Sequence, residues 1–283
     1  MSDLTIVCFS KDRPLQLRAY LDSITSSGLC LKRDETGQYP TITYVIYAAS
    51  NQNYSVAYEQ LFKNYIHVVP VLERDLKDDL SSVLKKSTSD YVMFGCDDVL
   101  FTGSVDKRWR MVMLNELVFA FSFRLGRNIT YCHPADRREV YEGVTYPNND
   151  DILLWQWPSA RGVDFSYPFE LNATVYRRSD VLKYFDMIQG IAKWHPNIIE
   201  GCFHRPEILR EFCQRPWMCS YETSKAYTIT VNRVQDVVLN RIYEEHSAKE
   251  LLEFYNSGGR IDLDYYRGKI FSSIHIGDLK IKS

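Results

Sequence analysis

The first hundred residues repeat one pattern, and that repetition restricts the fold more than any other feature. Short apolar runs suited to buried strands alternate with segments of helical spacing. Leu4–Phe9, Ile42–Ala49, Ile66–Leu72 and Tyr91–Phe94 are the strand-like runs. Between them, Pro14–Ser26 carries Leu17, Leu21 and Ile24; Ser55–Tyr65 carries Tyr58, Leu61, Phe62 and Tyr65; Leu76–Lys86 carries Leu76, Leu80, Val83 and Leu84. Each set falls on one helix face, and Pro14 suits a first turn, where its missing N–H leaves no bond unmade. The order β-α-β-α-β-α-β predicts an α/β fold with a mainly parallel sheet and helices on both faces. Ligands of such sheets bind at the carboxyl ends of the strands.

The second half reads less regularly. Asp106–Gly126 is expected as one long apolar helix ended by Gly126, and residues 127–169 as loops. Glu170–Arg177 is expected as a strand, Arg178–Gln189 and Asn197–Cys213 as helices, and Ala226–Asn232 as a strand. A helix near Ala248–Asn256 then precedes a polar tail. No repeat, low-complexity tract or linker divides the 283 residues, so one domain is expected, with a ligand-binding half at 1–104 and a second half at 105–283.

Charge and cysteine usage narrow the function. A formal net charge of -2 gives no electrostatic footprint for bulk nucleic acid, so no nucleic-acid partner is expected. The seven cysteines are scattered without a Cys-x-x-Cys pair, which argues against a zinc ribbon or a disulfide framework and for a reducing, cytoplasmic setting. The N-terminus lacks the basic region of a signal peptide, and no apolar run approaches the ~18 residues of a transmembrane helix.

Two adjacent carboxylates, Asp97 and Asp98, follow the fourth strand in Gly95-Cys96-Asp97-Asp98. Buried carboxylates are costly unless a metal or a cationic partner compensates them, and a hard cation prefers such oxygen ligands. The bland reading of the pair is a turn or a helix N-cap, which Asp favours. The first strand leads into Ser10-Lys11-Asp12-Arg13-Pro14 without Gly-x-Gly-x-x-Gly, and no Gly-x-x-x-x-Gly-Lys-Ser/Thr occurs, so neither a dinucleotide Rossmann site nor a P-loop is expected.

The segment Ile6-Val7-Cys8-Phe9-Ser10-Lys11-Asp12-Arg13-Pro14, with its Leu-rich helix, and the Asp97–Asp98 pair resemble the GT-A class of nucleotide-sugar glycosyltransferases, bacterial family-2-like members above all. The resemblance spans roughly the first hundred residues. It implies a GT-A-like, mainly parallel sheet with a nucleotide-sugar half and an acceptor-side half with its C-terminal tail. It also implies a metal-dependent hexosyl- or pentosyltransferase using a UDP- or GDP-sugar as donor and a glycan or glycoconjugate as acceptor, as in polysaccharide biosynthesis. Asp98 is then expected to bind Mn²⁺ or Mg²⁺, and Asp97 the ribose or the metal, in an x-Asp-Asp form of the Asp-x-Asp signature. A divalent cation stabilises the charge growing on a departing diphosphate.

Other site residues follow from the same comparison. Ser10, Lys11 and Arg13 are candidates for the nucleotide, Arg13 because its fork matches phosphate oxygens. The acid that often ends the second strand in this class is absent from Ala48-Ala49-Ser50-Asn51, which leaves Ser50 or Asn51 to contact the base. Lys77 lies where the class often meets the nucleotide; a solvated helix start is its plain alternative. Trp155 and Trp157 are candidates to stack on an acceptor sugar, against a packed core. Glu200 is the first candidate for the base of an inverting reaction, with Asp164 and Glu170 behind it; its alternative is stabilisation of a helix N-terminus. His275 is a candidate metal ligand from the tail. The Val231–Gln235 block resembles a segment after the last strand of the same group. Two other readings stay open: a nucleotidyltransferase, disfavoured by the Gly-free loop after strand one, and a non-catalytic sugar-binding scaffold with a degenerate transferase fold.

Overall fold

The structure, a computed structural model, describes residues 4–29, 41–147, 149–234, 241, 243 and 246–282. The alternation expected for the first half is present: β1 (Leu4–Lys11), α1 (Pro14–Ser26), β2 (Thr41–Ala48), α2 (Gln52–Phe62), β3 (Val68–Leu72), α3 (Leu76–Lys86) and β4 (Tyr91–Cys96). β5 (Val99–Phe101), α4 (Arg108–Met113) and β6 (Val118–Ser122) follow. After them come the short strands β7 (Tyr131–Cys132), β8 (Arg137–Arg138) and β9 (Val144–Tyr146), then β10 (Asn149–Gln156) and β11 (Thr174–Arg177). The remainder comprises α5 (Arg178–Met187), α6 (Pro196–Cys202), α7 (Pro206–Phe212), β12 (Trp217–Tyr221), β13 (Ala226–Ile229), α8 (Ala248–Asn256), β14 (Arg260–Ile261), α9 (Leu263–Tyr266), β15 (His275–Ile276) and β16 (Ile281–Lys282).

Nine strands form the central sheet in the order β3-β2-β1-β4-β11-β6-β12-β10-β9. β1, β2, β3 and β4 pair in parallel, as their helical crossovers require. Beyond β4 the sheet is mixed: β11 runs antiparallel to both β4 and β6, β12 is parallel to β6, and β10 is antiparallel to β12. Alternating side chains of β1 and β4 sort into two cores. Val7, Phe9, Val92 and Phe94 pack with α3 and α5, while Leu4, Ile6, Cys8 and Met93 pack with α1, α2 and α4. Helices therefore cover both faces. A small sheet, β15-β13-β5, ties the C-terminal region to the turn after Asp98, where the Ile229 amide donates to the Asp98 carbonyl at 2.8 Å.

Four expectations are corrected in the second half. Asp106–Gly126 is not one helix: it ends as a helix at Met113, and Val118–Ser122 is a strand buried on both sides. A short apolar run buried on all sides has no periodicity to tell helix from strand. The stretch 127–169 holds the eight-residue β10 and is not all loop. Asn197–Cys213 divides into α6 and α7 at Pro206, whose ring cannot donate in a helix interior. The four residues before Thr174 precede the strand; Ala173 there takes φ 44°.

Candidate active site

β1 and β4 are parallel, and β11 is antiparallel to both β4 and β6. The carboxyl ends of β1, β4 and β6 therefore open on one edge of the sheet, where β11 begins. The residues just past those ends are Asp12–Arg13, Asp97–Asp98 and Arg124, and Glu170 stands before β11. Among the described residues, the edge expected to hold ligands thus gathers the buried charges Asp12, Arg13, Asp97, Arg124 and Glu170.

The turn after β1 sets the first group. Asp12 adopts φ 53°, a left-handed conformation that Asp tolerates better than most residues, and its carboxylate accepts from the Ser50 amide at 2.8 Å. This turn brings Arg13 back over the strand ends. Arg13 Nη1 donates to Asp97 Oδ1 at 3.0 Å and to Asp98 Oδ2 at 2.9 Å, and Nη2 donates to the Asn232 carbonyl at 2.6 Å. Asp97 also accepts from the Ser10 hydroxyl at 2.8 Å and from the Lys11 amide at 3.3 Å. Burial pushes the Asp97 carboxyl up to about 6, while Arg13 pulls it down and Asp98 adds to the rise. Burying the pair without Arg13 would leave two uncompensated charges. The compensating partner expected for these carboxylates is therefore present within the chain.

A second group lies beside it. Arg124 Nη1 donates to Glu170 Oε2 at 2.7 Å, and Thr174 and Ser122 hydroxyls meet Glu170 Oε1 at 2.5 and 3.3 Å. The next residue, Leu171, donates its amide to Glu200 Oε1 at 2.6 Å. Burial pushes the Glu200 carboxyl up to about 7; the Leu171 bond opposes the rise, and the Glu170 charge adds to it. Cys96 sits between the two groups, its thiol raised by burial and then by the charges of Asp98, Asp97 and Glu200.

A third group is Cys132, Glu139 and Asp164, whose ligand atoms lie within 4.8 Å of one another. The Cys132 thiol donates to Asp164 at 3.3 Å, and burial followed by Glu139 pushes the Asp164 carboxyl up to about 7.

The remaining candidates separate clearly. Asn51 caps α2, accepting from the amides of Asn53 at 3.0 Å and Tyr54 at 3.4 Å. Lys11 is exposed at the same edge. Lys77 donates to the Gln189 carbonyl at 3.1 Å, while Asp79 accepts from the Arg74 and Asp75 amides at the start of α3. Trp155 and Trp157 are corrected to core residues: both are buried, and their indole N–H groups are satisfied by the carbonyls of Phe165 and Arg215 at 2.9 Å each. Neither ring presents a face to a sugar. His275 is paired with Thr230 Oγ1 at 2.9 Å and Arg124 at 3.4 Å. Among the described residues it does not gather with Asp97 and Asp98 into a set of mutually close ligand atoms. Glu170 is spent on Arg124, Thr174 and Ser122. Gln235, the last residue of the Val231–Gln235 block, lies outside the described residues. Sequence reasoning missed Arg124. A lone charge inside the apolar run Phe119–Leu125 was the available signal, because such a charge needs a buried partner.

Comparison with known proteins points the same way as the resemblance in the first hundred residues. The chain is 30% identical over an alignment 309 residues long to the bifunctional glycosyltransferase pgtA of Dictyostelium discoideum, across 98% of this chain and 39% of that protein. The chain thus spans well under half the length of this relative. No family model matches. Among solved structures, S. aureus TarS 1-349 in complex with UDP aligns over 81% of this chain and 61% of that one, at 9% identity and TM-score 0.47. The mannosyltransferase PcManGT from Pyrobaculum calidifontis, in complex with GDP-Man and Mn²⁺, aligns over 64% and 46%, at 14% identity and TM-score 0.38. Likenesses this distant assign neither residues nor activity. No helix among the described residues is long and apolar enough to cross a membrane.

Proposed function

We propose that the chain is a glycosyltransferase that moves a sugar from a nucleoside-diphosphate sugar to a glycan or glycoconjugate acceptor. The observation that carries the reading is the shared edge: Cys96, beside the Asp97–Asp98 pair at the end of β4, meets the Leu171 carbonyl at 3.8 Å, and the Leu171 amide holds Glu200 at 2.6 Å. The 30% identity to a curated glycosyltransferase supports it. Glu200 is the base. A carboxyl near 7 suits proton abstraction at neutral pH. The acceptor oxygen forms its bond to the anomeric carbon as the bond from that carbon to the diphosphate breaks, and Glu200 takes the acceptor's proton. A base acting on the attacking hydroxyl implies inversion.

The residues fit a hard divalent cation. The Asp98 side chain is 16% exposed against 3% for Asp97, and among the described residues the Arg13 guanidinium is the one side chain shown donating to its carboxylate. Asp98, backed by Asp97, would hold Mn²⁺ or Mg²⁺, which supplies neutralising charge to the leaving diphosphate. Arg13, already at the pair, adds a fixed positive charge for phosphate. Lys11 and Ser10 complete the donor side. UDP- and GDP-sugars are the donor classes proposed, and the setting is proposed to be cytoplasmic.

The test is hydrolysis of a panel of UDP- and GDP-sugars with Mn²⁺ or with EDTA, on the wild-type chain and on Asp98→Asn. Metal-dependent hydrolysis in the wild type, lost by at least tenfold in a folded Asp98→Asn, supports the reading. Wild-type protein inert toward every donor overturns it in favour of a non-catalytic scaffold.

A further inference from the structure

We propose that the buried Arg124–Glu170 ion pair is the positioning unit of Glu200, orienting that carboxylate through the Leu171 amide and setting the charge it faces. The inference rests on the glycosyltransferase reading only for its consequence in catalysis; the unit itself is argued from geometry.

Arg124 and Glu170 are 3% and 7% exposed, and their charges meet at 2.7 Å. Arg124 follows β6, and its amide bonds Ser122 Oγ at 3.2 Å, so the strand end fixes its origin. Glu170 is fixed independently: its amide donates to the Tyr176 hydroxyl at 2.8 Å, and its carboxylate accepts from Thr174 and Ser122. With Glu170 so held, Leu171 has little freedom, and its amide is the donor that holds Glu200 Oε1 at 2.6 Å. The two carboxylates are thus joined by one peptide unit. Glu170 raises the Glu200 carboxyl and Arg124 lowers it, so the two charges of the pair act on it in opposite directions.

The other groups facing Glu200 do not duplicate this. Tyr167, from the loop before β11, lowers its carboxyl by a hydrogen bond. Cys96 of β4, Tyr176 of β11 and Tyr184 of α5 feel the Glu200 charge, and burial raises all three, which keeps them neutral near pH 7. Among the groups that shift the Glu200 carboxyl, Arg124 is the cation and Glu170 the anion, while the Asp97–Asp98 pair and Arg13 lie across Cys96 and are the same in every variant.

The experiment follows the Glu200 carboxyl by ¹³C NMR in chain labelled at glutamate, with Glu200→Gln as the assignment control, from pH 4 to 9. Glu170→Gln removes the like charge, and the Glu200 midpoint is expected to fall by roughly one pH unit. Arg124→Met exposes that charge, and the midpoint is expected to rise by a similar amount. Arg124→Lys is expected to return it close to the wild-type value. General loosening of a buried acid lowers its midpoint, so the rise expected in the arginine variant is the diagnostic shift; should Arg124→Met fail to fold, Arg124→Gln takes its place. Midpoints that stay in place, or that move the same way in both variants, overturn the proposal. The acid limb of the pH–rate profile for sugar-nucleotide hydrolysis is measured alongside. A limb that tracks the midpoint supports both the positioning unit and the base. A midpoint that moves under a fixed limb leaves the unit standing and overturns Glu200 as the base.

Discussion

At the residue scale, the site is a problem in compensating buried charge. Asp97 accepts from Ser10, Lys11 and Arg13, and Arg13 spans both carboxylates before reaching the Asn232 carbonyl. Each bond to an ionised partner contributes more than a neutral one, and removing one partner costs several kcal/mol because the other charge stays buried. Arg13→Met is therefore expected to lower stability by about 3 kcal/mol, read as a lower denaturant midpoint, with a smaller loss for Arg13→Met combined with Asp97→Asn. Glu200 gives a prediction whose sign depends on pH. Its folded carboxyl is raised to about 7 from 4.5, so the folded chain keeps a proton that the unfolded chain releases. The associated stability is complete below about 4.5, declines as pH rises to about 7 and is absent above it. Glu200→Gln removes this loss. The variant is expected to match wild type in acid and to melt at a higher temperature above pH 7, by up to roughly 3 kcal/mol of stability. Thermal melts at pH 5 and pH 8 check it; equal differences at both would show that the Glu200 carboxyl does not titrate as described.

At the element scale, β4 joins core to site. Gly95 lies under Tyr20 of α1: a Cβ there would come within 2.8 Å of the ring's Cζ and closer still to its hydroxyl. Tyr20 is fully buried, so it has no open direction to move. Gly95→Ala is expected to cost about 1–3 kcal/mol by overpacking, measured by urea unfolding, and to weaken nucleotide binding because Asp97 begins two residues on. A neutral effect would mean that α1 is free to shift. The first-half elements were legible because each helix carried a stripe and each strand an unbroken apolar run; α1 and α3 have the boundaries expected of them. β6 was not legible, because Val118–Ser122 is buried on both sides and carries no alternation. The position of the Asp97–Asp98 pair at the end of β4 was legible from residue type and placement. Arg13's partners were not: Asn232 lies 219 positions away, and that closure depends on β13 reaching the turn after Asp98.

At the scale of the whole molecule, two halves that differ in regularity meet at one edge. The parallel half supplies Ser10, Arg13, Asp97 and Asp98, and the mixed half supplies Arg124, Glu170 and Glu200. The chain covers 39% of its curated bifunctional relative. The central proposal is that the paired carboxylates form a metal-assisted nucleotide site. Calorimetric titration with UDP, GDP, CMP and dTDP, each with and without Mn²⁺, tests that most directly. The account predicts binding of UDP or GDP that tightens at least tenfold with Mn²⁺ and is lost in Asp98→Asn. Absence of binding to all four nucleotides, or binding indifferent to both Mn²⁺ and Asp98, would contradict it.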